Sequence, residues 1–422
     1  MNQRVIQRVK GTQDFLDLKL FNFFINAAKK HLATYYFKEI STPVLEPLEL
    51  FKRSLGLETD VVAKEMYIIK TNEEQEENIC LRPEMTASTV RAFIDANIET
   101  VPWKVFSYGP VFRHERPQKG RFREFHQLTM ETIGSKDISQ DAQFIKMLDR
   151  FFHEILGLNN YALLINFLGC HEDRAKYREK LHEFLEKNKD KICSTCIVRK
   201  DKNIMRVFDC KTPSCQELYK NAPFIADNLC SVCAAEWQQV KNYLQELSVS
   251  FSYVPTLVRG LDYYNKTVFE FSSNVLGAQN AFCGGGRYDQ LVSQLGGRQD
   301  QPSIGAAIGI ERILLMLEQI VNNLPIAQEP KLHVILPLSQ NQKSLALLLA
   351  DELQAANLCA EIFLENDSVK SMMRKANKMG AAYAIILGEE EQANRQASVK
   401  NMVTGQETKV SQSELTSWLT QN

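Results

Sequence analysis

The sequence predicts an α+β fold, in which an N-terminal domain built on an antiparallel sheet is interrupted by a helical insertion and followed by a C-terminal α/β domain. Two long strand-like stretches, 103–113 and 121–134, flank a short polar loop, which is typical of an antiparallel hairpin. Residues 171–250 are rich in charge and helical in pattern, and they separate two strand-rich regions. From residue 332 strands and helices alternate, which favours βαβ crossovers and a mostly parallel sheet.

The amino-acid composition excludes several classes of protein. Hydrophobic residues make up 44% of the 422 residues and charged residues 24%, the usual balance of a soluble globular protein. Lysine and arginine number 50 against 51 aspartate and glutamate, so a uniformly basic nucleic-acid coat is excluded. No stretch approaches the roughly 18 apolar residues of a membrane helix, and the N-terminus lacks an apolar signal segment. We therefore expect a cytoplasmic protein that makes no membrane contact.

The N-terminal part is predicted to contain two helices and a hairpin. Apolar residues at helical spacing predict an amphipathic helix over 15–39, and Pro43 and Pro47 keep the next segment extended. Residues 68–82 hold two apolar runs around an acidic stretch, which predicts a hairpin. The hydroxyl-rich segment that starts at Thr86 then opens a helix to about residue 98.

Strand patterns return after the insertion and again in the C-terminal domain. Residues 252–310 are strand-rich, Ile310 to Ile320 form a helix, and the polar stretch 321–331 contains a linker. In the C-terminal domain, strands and helices are predicted in alternation at 332–336, 340–356, 360–363, 368–379 and 383–387. The predicted domains are 1–325, with its insertion at 171–250, and 332–422, joined by a linker at 326–331.

The loop of the long hairpin is strongly basic. Residues 113–123 carry five cations against one carboxylate, a net +4 within a chain of net charge -1. Cations this close repel each other unless an anion neutralises them, and the planar fork of arginine matches phosphate. Period-2 geometry places the following residues on one face of the outgoing strand: Arg123, Phe125, Gln127, Thr129 and Glu131. This polar face predicts a binding site, the alternative being a solvated edge hairpin with a charged tip.

Two runs in this hairpin, Phe-Arg-His-Glu at 112–115 and Arg-Phe-Arg-Glu-Phe-His-Gln at 121–127, resemble motif 2 of class II aminoacyl-tRNA synthetases. More narrowly, they resemble the histidyl-tRNA synthetase family. The resemblance implies that Arg113 holds the ATP α-phosphate and the substrate carboxylate, that Glu115 reads the adenine amine and that Phe125 stacks on adenine. It also implies that Arg121 binds the terminal phosphates and that Arg116 and Gln118 approach the tRNA acceptor end.

The run Arg259-Gly-Leu-Asp-Tyr-Tyr264 resembles a signature specific to this family. The resemblance implies that Arg259 contacts the α-phosphate, and that Tyr263 and Tyr264 line a pocket for the histidine ring. Recognition of imidazole requires partners on both ring nitrogens. Glu131 can accept from the ring N–H, and the phenol of Tyr264 can donate to the other nitrogen.

The amino group of the substrate is assigned by resemblance to Glu84, Thr86 and Gln127. Met85 stands where many members of the family have glycine. Glu270 is a candidate contact for Mg²⁺ or for the ATP ribose. The early helix and Pro43 resemble motif 1, which implies a homodimer.

Arg312 lies in the first turn of a predicted helix, where a cation opposes the helix dipole. It is therefore either paired with Glu311 or another neighbour, or it holds an anion. The run around it resembles motif 3 of class II synthetases, which implies that Arg312 binds the γ-phosphate. The nearby glycine-rich run 283–291 permits a close approach of backbone to ligand.

Six of the ten cysteines fall between Cys193 and Cys233. Two Cys-x-x-Cys pairs in this segment predict a structural zinc site with Cys193, Cys196, Cys230 and Cys233 as ligands. The alternative is that the thiols are buried as small apolar side chains.

The resemblance as a whole implies an enzyme that activates histidine with ATP and Mg²⁺ and transfers it to the 3′ end of tRNA(His). It also implies that 332–422 is an anticodon-binding domain. An alternative is the synthetase-like regulatory subunit of ATP phosphoribosyltransferase, which binds histidine as a sensor, has altered ATP-contacting arginines and typically lacks the C-terminal domain. A third interpretation, an RNA-binding module without catalysis, leaves the polar strand face unexplained.

Overall fold

The computed structural model describes residues 5–57, 59–70, 78–118, 120–277, 279–365 and 367–422. Contacts between Cα atoms divide the chain into two units, Met1–Ile326 and Ala327–Asn422. Within the described ranges, no helix is long and apolar enough to cross a membrane. Lys119, one of the loop cations, and residues 71–77, the predicted acidic turn, lie outside the described residues.

The first unit contains ten α-helices and eleven strands in the described residues. The helices are α1 Lys19–Thr34, α2 Leu48–Leu55, α3 Thr86–Asp95, α4 Ser139–Arg150, α5 His171–Lys187, α6 Ser194–Lys202, α7 Pro213–Tyr219, α8 Ser231–Glu246, α9 Leu291–Gln294 and α10 Ile310–Leu317. The strands are β1 Lys38–Glu39, β2 Leu45–Pro47, β3 Ile68–Ile69, β4 Ile79–Leu81, β5 Trp103–Phe112, β6 Glu124–Ile133, β7 Ala162–Phe167, β8 Ser252–Tyr253, β9 Asn265–Ser272, β10 Ala281–Arg287 and β11 Ser303–Gly309.

The main sheet of this unit has the strand order β1-β5-β6-β11-β10-β9-β7-β8 among the residues described. Its inner pairs are all antiparallel, and only the edge pairs β1–β5 and β7–β8 are parallel. β5 and β6 pair from Trp103↔Ile133 to Phe112↔Glu124, so the predicted long hairpin is present. β2, β4 and β3 form a separate small sheet. The prediction of an α+β core on an antiparallel sheet is confirmed.

The alternation of side chains along β6 separates core from binding face, because successive residues of a strand point to opposite sides. Leu128 and Met130 are buried in the core that also contains Phe24 of α1, Phe144 of α4 and Ile313 of α10. These helices therefore cover one face of the sheet and leave the polar residues of β6 on the other face.

The first helix is shorter than the predicted 15–39. It begins at Lys19 and ends at Thr34, and Tyr36 follows with φ 64°, a left-handed conformation that a helix cannot continue through. Residues 38 and 39 belong to β1, which pairs with β5. Pairing with the sheet therefore competes successfully with the helical pattern at this end.

The insertion consists of α5 to α8, joined by short 3₁₀ turns at Lys189–Lys191, Ile204–Asp209 and Ile225–Asn228. Tyr177, Leu181 and Leu185 of α5 are buried at intervals of four residues and pack with Val207 and Ile225. The interior of the insertion is therefore one apolar stripe of α5 covered by short elements.

The second unit has strands β12 Leu332–Pro337, β13 Cys359–Ile362, β14 Tyr383–Leu387, β15 Gln396–Asn401 and β16 Glu407–Ser411, and helices α11 Lys343–Ala355, α12 Val369–Lys378, α13 Glu389–Ala393 and α14 Leu415–Gln421. The sheet order is β13-β12-β14-β15-β16. The first three strands are parallel, as predicted, but β15 and β16 add antiparallel pairs. The short connection between β15 and β16, with Gly405 at φ 76°, permits only antiparallel pairing.

Candidate active site

A cavity of about 330 Å³ lies on the polar face of the main sheet. Its wall contains most of the residues predicted to bind ligands: Glu84, Thr86, Arg113, Glu115, Arg121, Phe125, Gln127, Arg259, Tyr263, Tyr264 and Arg312. The fold thus brings together side chains from widely separated stretches of the chain. Of the predicted contacts, all of which are described, Glu131, Glu270, Arg116 and Gln118 lie outside this wall.

Arginine side chains from several separate elements line the cavity. Arg113 donates from Nε to a backbone carbonyl at 2.9 Å, and its guanidinium lies 5.4 Å from the centroid of the Phe125 ring. Burial, followed by the charges of Arg113 and Arg121, lowers the pKa of Arg312 to about 10. Cations that repel each other in a partly buried cavity favour a ligand with several negative charges.

Arg312 does not form the predicted alternative pair with Glu311. The Glu311 carboxylate accepts the backbone N–H of His126 at 2.9 Å and contacts Nδ1 of the same residue at 2.9 Å. Arg312 donates instead to the backbone carbonyls of Gly120 and Ala281. Its charge therefore remains available to an anion.

Arg259 is held over β10 by Glu270, whose carboxylate accepts from Nη1 of Arg259 at 2.5 Å. The guanidinium packs against Gly284, where a Cβ atom would overlap it. The glycine run of β10 therefore makes room for this arginine. Within the described part of the chain, the buried Nε of Arg259 has no hydrogen-bond partner. An unpaired buried donor in a cavity wall is suited to an anionic ligand.

The loop between β5 and β6 divides its polar groups between the cavity and solvent. Glu115 is buried and pairs with Arg121, which also lies 3.9 Å from Glu65. Arg116 and Gln118 are exposed, and the backbone of Gln118 bridges to Arg121. Glu115 and Arg121 therefore lie where they can meet a ligand in the cavity, whereas Arg116 and Gln118 face solvent.

A second polar group of the cavity lies at the start of α3. The Glu84 carboxylate accepts the backbone N–H groups of Thr86 and Ala87 at 2.7 and 2.8 Å. Gln127 on β6 is 9% exposed, and its Oε1 atom has no partner among the described residues. A carboxylate and an unpaired amide oxygen among the lining residues are suited to a ligand that carries an amino group.

Met85 fits between these residues without backbone strain. It is 1% exposed, and its φ of -114° is ordinary for any L-residue. The backbone here does not need the glycine that the resemblance leads one to expect.

Glu131 lies behind the cavity wall. It is 1% exposed, and its two carboxylate oxygens accept from the hydroxyls of Thr86 at 2.7 Å and Tyr288 at 2.5 Å. Each oxygen has a further lone pair. The Tyr263 ring lies between the rings of Tyr264 and Tyr288, with centroids 4.5 and 5.6 Å away. Burial raises the pKa of Tyr264 to about 12, so its phenol stays a proton donor.

The buried Glu131 carboxyl makes stability dependent on pH. Burial raises its pKa from 4.5 to about 8, although the hydrogen bonds from Tyr288 and Thr86 oppose this. The folded chain therefore keeps a proton that the unfolded chain releases, and this contribution to stability is lost as pH rises from about 4.5 through about 8. We expect the free energy of unfolding in urea to fall more between about pH 6 and 9 for the unmodified, ligand-free chain than for Glu131→Gln. Parallel curves would contradict the assignment.

Two features of the site were not anticipated from the sequence. Tyr288 is fully buried, and its hydroxyl donates a hydrogen bond to Glu131. The sequence shows only a tyrosine beside a glycine run, which is equally typical of a side chain that packs in the core. Arg206 of the insertion pairs with Asp60 at 2.9 Å, and both line the cavity. Because Asp60 and Arg206 are far apart in the sequence, no local pattern predicts their contact.

The predicted set of four zinc ligands is wrong. Cys193 and Cys196 group with Cys210 and Cys215, whereas Cys230 and Cys233 group with Cys170 and Asp173. The two Cys-x-x-Cys pairs stand at the N-termini of different helices, α6 and α8. Each pair therefore meets partners from its own surroundings.

The family model for histidyl-tRNA synthetase matches residues 25–313 of the chain. The chain belongs to the histidyl-tRNA synthetase family. A model for the anticodon-binding domain also matches, at residues 333–422. Family membership and this second match confirm the predicted class II catalytic core and C-terminal anticodon-binding domain.

Curated relatives in the histidyl-tRNA synthetase family match over nearly the whole chain. The histidine–tRNA ligase of Clostridioides difficile strain 630 is 41% identical over 417 residues, which cover 98% of both chains. That of Syntrophotalea carbinolica is 43% identical over 95% of this chain and 94% of its own. The crystal structure of apo histidyl-tRNA synthetase from S. aureus matches with a TM-score of 0.80 and 31% identity, over 98% of this chain and 99% of that chain.

Proposed function

We propose that the cavity binds histidine and ATP side by side, joins them as histidyl-adenylate with release of pyrophosphate, and then passes the histidyl group to the 3′ end of tRNA(His). The activity predicted from the sequence, histidine–tRNA ligase, is confirmed by family membership and by relatives that match over the whole length. The observation that carries the site assignment is the convergence of Arg113, Arg259 and Arg312 on one cavity.

In the first step, a carboxylate oxygen of histidine forms a bond to the α-phosphorus of ATP, and the bond from that phosphorus to the bridging oxygen of pyrophosphate breaks. Two anions must approach, and negative charge develops on the phosphoryl oxygens. We assign Arg113 and Arg259 to that charge, because fixed guanidinium groups stabilise it and orient the attack. The unpaired Nε donor of Arg259 supports this role.

The adenine and the terminal phosphates of ATP are assigned to other residues that line the cavity. We assign adenine to the face of Phe125 with its amine near Glu115, and the terminal phosphates to Arg121 and Arg312. The pKa of Arg312 is lowered first by burial and then by the charges of Arg113 and Arg121, and this crowding of positive charge supports a polyanion at this end.

The histidine is assigned to the part of the cavity lined by Glu84, Thr86 and Gln127. Glu84, Thr86 and Gln127 would hold the amino group, and the unpaired Oε1 of Gln127 supports this. Glu131 and Tyr264 would meet the two ring nitrogens of imidazole, with Tyr263 beside the ring. The free lone pairs of the Glu131 carboxylate and the protonated phenol of Tyr264 support this part.

Class II synthetases use Mg²⁺ with ATP, and the carboxylate of Glu270 next to the arginine-lined wall is suited to a hard cation or to the ATP ribose. Mg²⁺ would neutralise phosphate charge when bound. Glu270 meanwhile positions Arg259 through their ion pair.

The tRNA assignments rest on exposure and on domain content. Arg116 and Gln118 stand exposed on the hairpin loop, where an acceptor end can reach them. The C-terminal unit matches an anticodon-binding domain, which supports tRNA(His) as the second substrate. We further propose that the enzyme is a homodimer and acts in the cytoplasm.

The test of this function is histidine-dependent exchange of labelled pyrophosphate into ATP without tRNA, followed by charging of tRNA(His). We expect both from the unmodified chain, because adenylate formation needs only the cavity. Charging of other tRNAs serves as the control. A chain that binds histidine but shows no exchange would contradict the proposal and favour the sensor function of a regulatory subunit.

A further inference from the structure

Four cysteine thiols of the insertion converge on one point. Cys193 caps the start of α6, Cys196 lies in its first turn, Cys210 follows the 3₁₀ turn Ile204–Asp209, and Cys215 lies in α7. Their sulfur atoms all lie within 4.8 Å of one another. The spacing, two residues within the first pair and four within the second, lies in the range found in structural zinc sites.

The separation of the sulfurs matches a metal centre better than a disulfide. Zinc–sulfur bonds of about 2.3 Å in a tetrahedron place the sulfurs about 3.8 Å apart. The Sγ atoms of Cys193 and Cys210 are 3.7 Å apart. A disulfide needs about 2.05 Å, and all four cysteines are free.

The thiols lie in a largely buried environment in which backbone N–H groups donate to two of the sulfur atoms. Cys196, Cys210 and Cys215 are buried, with 0%, 5% and 0% exposure. The backbone N–H of Cys193 donates to Sγ of Cys215 at 3.2 Å, and that of Thr212 donates to Sγ of Cys210 at 3.4 Å. Such bonds stabilise negative sulfur and orient ligands around a metal. Packing as small apolar side chains does not by itself require four sulfur atoms to share one point.

We propose that Cys193, Cys196, Cys210 and Cys215 form a tetrahedral structural zinc site within the insertion. Four thiolates select a soft divalent metal, and a closed set of four protein ligands leaves no open position for catalysis. The site would join α6, α7 and the turn between them, in a segment whose elements are too short to be stable alone. The zinc would be structural and would take no part in the chemistry of the cavity.

The second group, Cys170, Asp173, Cys230 and Cys233, provides an internal comparison. Both carboxylate oxygens of Asp173 already accept backbone N–H groups, from Cys230 at 2.9 Å and from Cys170 at 3.3 Å. These bonds give the carboxylate a capping role at the starts of α5 and α8, which needs no metal. Cys230 is also exposed. We therefore place zinc in the first group only.

The test is the zinc content of the purified full chain, kept reduced and measured by mass spectrometry of the metal. We expect one zinc per chain, lost in the double variant Cys210→Ser/Cys215→Ser. The matched variant Cys230→Ser/Cys233→Ser should keep it, which also separates this site from the ligand set that the sequence alone predicts. A reduced, unmodified chain that holds no zinc, or holds iron instead, would overturn the proposal. The proposal would also be overturned if the Cys210→Ser/Cys215→Ser chain kept its zinc and the Cys230→Ser/Cys233→Ser chain lost it.

A second measurement decides the matter if the first variant does not fold. Cobalt added to the metal-free, unmodified chain should give the intense visible bands of a tetrahedral ion and the near-ultraviolet bands of four thiolate ligands. The weak spectrum of an octahedral cobalt ion would exclude the site. Pyrophosphate exchange measured on the same samples tests the catalytic proposal separately.

Discussion

Replacing Arg259 with alanine is expected to lower histidine-dependent pyrophosphate exchange by about 10²–10³-fold. This is the usual cost of removing one donor that stabilises charge in the transition state, about 2.7–4 kcal/mol. The guanidinium of Arg259 lines the cavity, its buried Nε has no hydrogen-bond partner among the described residues, and Glu270 holds it in place. The measurement is the exchange rate at saturating histidine and ATP, and the effect should fall mainly on kcat.

Two variants control this experiment. Arg53→Ala removes an exposed arginine that pairs with Glu49 along α2, and it should leave the exchange rate unchanged. Arg259→Lys keeps a charge but loses the planar fork, so it should recover only part of the rate. Thermal unfolding of the variant shows whether Glu270, left without its partner, lowers the stability of the fold. Exchange by a folded Arg259→Ala chain within about threefold of the unmodified rate would refute the assignment.

Replacing Glu131 with glutamine is expected to lower kcat/KM for histidine by about 10- to 150-fold. Above about pH 8, where the Glu131 carboxyl is ionised, its hydrogen bond to the imidazole N–H is charge-assisted and contributes about 1.5–3 kcal/mol, which the neutral amide of glutamine does not supply. Selectivity for histidine over an amino acid whose ring lacks nitrogen should fall by a similar factor. Steady-state exchange with each amino acid measures both effects.

The shape of the kinetic change separates recognition from a structural role for Glu131. Loss of ring recognition raises KM for histidine and leaves KM for ATP nearly unchanged. Glu99→Gln, an exposed substitution outside the cavity wall, is the matched control and should behave like the unmodified chain. Equal losses with histidine and with the ring analogue would show that Glu131 only supports Thr86 and Tyr288.

Local patterns predicted those parts of the chain whose environment repeats with the secondary structure. The polar face of β6 follows from period-2 alternation, which separates Gln127 from Leu128, and the structure buries Leu128 in the core while Gln127 lines the cavity. The antiparallel pair β15–β16 was missed although Ala397 and Val399 alternate with polar residues, because both strands are short and contain few branched apolar side chains. Family motifs, rather than periodicity, assigned roles to the arginines.

The sequence by itself determined the family, the two kinds of domain and most of the side chains that line the cavity, because those follow from short motifs and from local periodicity. Only the tertiary structure decided which groups meet across long separations. It placed Glu131 behind Thr86 and Tyr288, gave Glu311 to His126 rather than to Arg312, and divided the cysteines into two groups. The physical reason is that such partners are selected by packing of whole elements, and no local spacing encodes which of several equivalent thiols or carboxylates will be nearest.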